Sequence, residues 1–240
     1  MDEPAFVRLQ TAVFLSTLNL KPILDLAKTI QDTSNGLLDI DPIVLPVPSD
    51  APAEIPRIIL KGAHERWVYQ VCASRLDFVF QLPQSELGKA EFGTIIRQQA
   101  DVSAAIWGAI SAKFNASGNR IGIVSTFLSV TDSAVRSLRS RFLPSSTAPE
   151  PHELQLHALH RIALGDVLVN RWTRCIAGQA QSANPPQESM RIEIDVNTLP
   201  EHVFAVTPSG ILKFTEGATE LVLNTMESLF GDNPAVERVF

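Results

Sequence analysis

The feature that most constrains this chain is an order of elements that occurs twice. VFLST at 13–17 and TFLSV at 126–130, 113 residues apart, each close a run of alternating residues and lead into a helical pattern. In the first run Val7, Leu9, Thr11, Val13 and Leu15 alternate with Arg8, Gln10, Ala12 and Phe14, the period of two of a half-buried strand. Asn19 is placed to cap the helix that follows, with Pro22 in its first turn and Ile23, Leu24, Leu26, Ala27 and Ile30 as the apolar stripe. Residues 34–56 then hold five prolines, which exclude a helix or a central strand. PRIILK, RWVYQVCA and RLDFVFQL read as an antiparallel meander, and a long helix is predicted from Ser85 to Phe114.

The order restarts at Asn119. NRIGIVSTFLSV reads as a strand, Thr131 or Asp132 as the cap of SAVRSLRSRF, and LPSSTAPEP as a second proline-rich connection. HELQLHALHRIAL, DVLVNRWTRCIAG and SMRIEIDVNT supply three strands, with a helix over 152–176 as the alternative. Strands are preferred because Leu154, Leu156 and Ala158 alternate with polar neighbours and Gly165-Asp166 reads as a turn. A last helix from Lys213 to Phe230 stops at Gly231. The expected fold is α+β, an internal duplication of a strand, helix, three strands and helix, with a mainly antiparallel sheet covered by two long helices. Residues 1–118 and 119–240 are its two halves, packed as one unit.

Composition narrows the class of function. With 45% hydrophobic and 19% charged residues the chain is globular. No run of eighteen apolar residues occurs, and MDEPAFVRLQ lacks a basic leader, so a cytoplasmic protein with no membrane partner is expected. Cys72 and Cys175 have neither metal nor disulfide spacing. The formal charge of −6 divides into −3 over 1–119, +3 over 120–174 and −6 over 175–240, and all seven cations of the middle segment are arginines. An acidic total disfavours nucleic acid as a partner.

Motifs for chemistry are missing. The phosphate loop, the dinucleotide fingerprint and the nucleophile elbow do not occur, and His152 and His157 of HELQLH are five apart, not the four that a zinc helix needs. No catalytic residue, metal or cofactor is predicted. In RIEIDV, Glu193 and Asp195 share a strand face with Arg191, the pattern of any half-solvated strand. Arginine and aromatic residues concentrate at Arg136 and Arg139 on the second short helix, and at Arg171, Trp172 and Arg174 in NRWTR.

RIEIDVNTLPEHVF, followed by TELVLNTMESLFG in the final helix, resembles the C-terminal part of a sporadically distributed family of uncharacterised bacterial proteins. VNRWTR is loosely similar to a strand of that family ending in Arg-Tyr-x-Asn, although Asn170 here precedes Trp172. The resemblance implies an accessory role, in a mobile-element or antiphage system, and no catalytic residues. Two readings follow. The first is a non-enzymatic interaction protein that binds another protein or itself, with Val239 and Phe240 of the tail as contacts. The alternative is a ligand- or nucleic-acid-binding protein with a groove lined by Arg136, Arg139, Arg171, Trp172 and Arg174.

Overall fold

The first alternating run forms β1 (Ala5–Thr17), and its phase contains one irregularity. The ladder to the neighbouring strand pairs Phe6 with Phe127 and Arg8 with Thr126, so Val7 is an extra residue in a β-bulge. Phe6 therefore joins Leu9, Thr11 and Val13 on the buried face, where simple alternation predicts Val7. The computed structural model describes residues 4–48, 50–131, 133–143, 151–179, 188–201 and 204–231.

Helix α1 (Ile23–Thr33) begins just after Pro22, and the Pro22 carbonyl accepts its first backbone bond, from Leu26 N. Asn19 is too far upstream to cap it. Its Oδ1 accepts instead from Lys21 N at 3.1 Å, a local turn. The proline-rich stretch supplies only β2 (Ile43–Val44), which pairs with β3 (Ile58–Lys61) at the sheet edge, where a strand flanked by prolines is tolerated. β4 (Trp67–Val71) and β5 (Arg75–Gln81) complete the meander. Helix α2 spans Phe92–Phe114, starting later than Ser85, because Leu87 is extended and Gly88 has φ +77°. It ends on Asn115 in the left-handed region.

β6 (Ser117–Val130) and α3 (Ala134–Phe142) follow. Ser133 precedes α3 without a side-chain cap bond, and Thr131 N instead donates to the Glu188 carbonyl; Asp132 lies outside the described residues. Residues 152–176 are strands: β7 (Leu154–Leu164) and β8 (Val167–Gln179) pair along their whole shared length, turned by Gly165 at φ +58°. β9 (Glu188–Thr198) precedes α4 (Pro208–Phe230), which starts five residues before Lys213. Thr207 Oγ1 accepts from Gly210 N at 3.0 Å, and Pro208 occupies the first turn.

The fold is α+β: the described residues form four α-helices and one nine-stranded antiparallel sheet in the order β2-β3-β4-β5-β1-β6-β9-β8-β7. Read outward from the central β1·β6 ladder, one side runs β1, β5, β4, β3 and then the short β2, and the other β6, β9, β8, β7. One face of the strands contributes Leu9, Val13, Phe78, Phe80, Ile121, Ile123, Ile192 and Ile194 to a single core, together with buried residues of all four helices. Phe6 anchors it, with ring centroids 5.9 Å from Phe80, 5.3 Å from Phe92 and 5.8 Å from Phe127. Trp107 of α2 donates Nε1–H to the Val206 carbonyl at 2.9 Å, just before α4 begins. No described helix is long and apolar enough to cross a membrane.

Candidate binding face

The strands of the sheet bury one side in the core, and the strand registers give the rows of their opposite face. One row runs Arg75, Phe14, Arg120 across β5, β1 and β6. Two rows further along come Val79, Gln10, Val124, Asp195, Trp172 and Leu159, and next to them Gln81, Arg8, Thr126, Glu193, Arg174 and His157. Leu159 is 43% exposed beside the half-buried Trp172.

Polar contacts knit this face together. The guanidinium carbon of Arg120 lies 4.5 Å from the Phe14 ring centroid and that of Arg75 lies 5.8 Å from it. Asp77, only 2% exposed, accepts from Gln10 Nε2 at 2.8 Å and from Arg75 Nε at 2.7 Å. Gln10 Oε1 in turn accepts from Arg8 at 2.7 Å. On the other half Arg174 donates to Glu193, lies 4.0 Å from Asp195 Oδ2 and has its guanidinium 5.3 Å from the Trp172 ring centroid. Burial pushes the Asp195 carboxyl above its ordinary range, against the opposing effects of the Asn197 hydrogen bond at 2.9 Å and the Arg174 charge.

The charge of this face is opposite to that of the chain. On β5, β1, β6, β9, β8 and β7 it carries six arginines, Arg75, Arg8, Arg120, Arg191, Arg174 and Arg161, against three carboxylates, Asp77, Glu193 and Asp195. Arg75 is paired with Asp77, Arg174 with Glu193, and Arg161 with Glu201, which lies between β9 and α4, at 3.5 Å. Arg8, Arg120 and Arg191 form no ion pair within 4.0 Å of a carboxylate among the described residues, although the charge of Arg120 reaches Asp195. Arg8 and Arg191 line, with Gln81, Thr126 and Glu193, a hollow of about 240 Å³.

The arginines expected to share one groove are divided between the two faces. Trp172 and Arg174 belong to the face just described. Arg171 points to the helix side, donating to Thr225 Oγ1 of α4 at 3.1 Å, and burial pulls its pKa below the usual guanidinium range. Strand alternation requires this, because residues three apart point oppositely. Arg136 and Arg139 sit on α3, which enters the core through Ala134, Val135 and Leu138 and is tied to the end of α4 by Arg141 donating to the Gly231 carbonyl at 3.1 Å. These three arginines therefore cannot line a common groove with Trp172 and Arg174. His157 and His160 likewise project from opposite faces of β7. Val239 and Phe240 lie outside the described residues. Sequence reasoning misses Arg75, Arg120 and Arg191 as a group; their signal is a polar phase shared with Arg8 and Phe14, without the strand order that makes them neighbours.

No protein-family model matches the chain, and no curated protein matches it. A structure of a rolling circle replication initiator protein from Geobacillus stearothermophilus aligns over 98% of this chain and 89% of its own, at 6% identity and a TM-score of 0.29. A likeness that slight carries no argument about fold or function.

Proposed function

We propose that this chain is a non-enzymatic binding protein whose helix-free sheet face docks single-stranded nucleic acid. The observation that supports this reading is the charge reversal: six arginines stand against Asp77, Glu193, Asp195 and the Glu201 that pairs with Arg161, a net +2 on a chain of −6, with Arg8, Arg120 and Arg191 in none of the face's ion pairs. A polyanion repelled by the whole would be attracted locally, and aromatic side chains layered with guanidinium groups suit bases and phosphates together. The Arg120 and Thr126 rows are six residues apart on β6, about 20 Å, the length of roughly six stacked nucleotides.

The doubled plan belongs to the same proposal. Apart from the extra edge strand β2, the strand order is the same when read outward on either side of β1·β6, and α2 and α4 each follow the last strand of their half in the chain, which supports descent from one duplicated unit. Each half then contributes arginines to one continuous face. The resemblance of the last third to a sporadically distributed family of uncharacterised bacterial proteins, which implies an accessory role, is compatible with a binding role. Fluorescence anisotropy of a labelled oligonucleotide titrated with the protein tests the reading. Three phosphate contacts predict a slope of about −2 in log affinity against log salt for a single strand. Binding of an acidic peptide with no response to nucleic acid would transfer the face to a protein partner.

A further inference from the structure

The two edges of the sheet are built differently. β2 has two residues, with Pro42 before it and Pro46 shortly after, a short edge that resists strand addition. β7 has eleven residues, no proline, no carboxylate and one formally charged side chain, Arg161. Among the described residues its only strand partner is β8, and within them its outer backbone groups have no ladder partner.

We infer that β7 is the seam at which a second copy of this chain joins the sheet, antiparallel and centred on Leu159. The inference rests on the sheet edge and is independent of what the basic face binds. About Leu159 the sequence LQLHALHRIAL matches in character at three of its five pairs, Leu154 with Leu164, Leu156 with Ile162 and His157 with Arg161, and differs at Gln155 with Ala163 and at Ala158 with His160. In that register Leu154 faces Leu164 and Leu156 faces Ile162 on the helix side, and all four already pack against the core. On the other face Gln155 meets Ala163, His157 meets Arg161, and the 43% exposed Leu159 meets its own symmetry mate. A two-fold axis needs this self-complementarity, because residue i must accept residue j and j accept i. The product is one continuous sheet of eighteen strands, nine from each copy, with the two basic faces side by side.

The test uses the whole chain. Light scattering of the wild type should give about twice the 26.2 kDa chain mass. Leu159→Lys, which sets two cations opposite each other, should return it to the single-chain mass with an unchanged circular dichroism spectrum. Leu159→Cys should form a covalent dimer under mild oxidation while Gln155→Cys, displaced from the axis, does not. Cys72 and Cys175 are buried and do not interfere. A wild type at single-chain mass across all concentrations, a dimer that survives Leu159→Lys, or equal crosslinking at 155 and 159 overturns the inference. Should Leu159→Lys fail to fold, the two cysteine variants decide.

Discussion

Arg120 on β6 lies over the ring of Phe14 on β1, guanidinium to centroid 4.5 Å, at the central ladder where the two halves of the sheet meet. The ring is half-buried, and it fixes where the cation stands. Phe14→Leu keeps an apolar side chain but removes the π face, at a cost of about 1 kcal/mol in ordering Arg120. Oligonucleotide affinity should fall roughly fivefold while the thermal midpoint changes little, as read by anisotropy and by differential scanning calorimetry.

Phe6 is 4% exposed and meets three other rings, Phe80, Phe92 and Phe127, so it joins β5, α2 and β6 through β1. Phe6→Ala should cost about 3–5 kcal/mol, through lost transfer energy and the cavity left behind. Urea denaturation should show this as a lowered midpoint with the slope unchanged. A change under about 1 kcal/mol would mean that the ring cluster is not a principal anchor.

Asp195 predicts a pH dependence of stability. Burial holds its folded carboxyl above the ordinary range, so on raising the pH the unfolded chain loses this proton first. Stability from this group is present below the ordinary carboxylate range and lost as pH rises through the raised folded value. Asp195→Asn removes that loss and still accepts from Asn197. The variant should be more stable than wild type at neutral pH, and the two should converge in acid. A variant less stable at neutral pH would show that the charge contact with Arg174 outweighs the cost of burial.

Local pattern alone makes much of this fold legible. The alternation of 188–198 puts Ile192, Ile194 and Val196 in the core and Glu193 and Asp195 on the other face, as found. The cleanest failures have local causes. The bulge at Val7 shifts one residue against its ladder, which no period of two can show. The Thr207-Pro208 start of α4 is a capping signal that a reading led by the apolar stripe overlooks. The candidate face is harder to see for a different reason. Arg75, Phe14 and Arg120 lie far apart in the chain and become neighbours only because β1 pairs with both β5 and β6, a choice made by tertiary packing. Arg171 is the opposite case, since its separation from Arg174 follows from strand geometry alone.

The central claim is that nucleic acid meets the sheet face and not the helix side. The most direct test is anisotropy of one labelled single strand with Arg120→Glu and with Arg136→Glu, each checked for an unaltered circular dichroism spectrum. The two variants change net charge equally, one on the face and one on α3. The account predicts at least a tenfold loss for Arg120→Glu, about 1.4 kcal/mol, and a much smaller loss for Arg136→Glu. Equal losses would reduce the effect to net charge, and a larger loss for Arg136→Glu would place binding on the helix side and contradict the account.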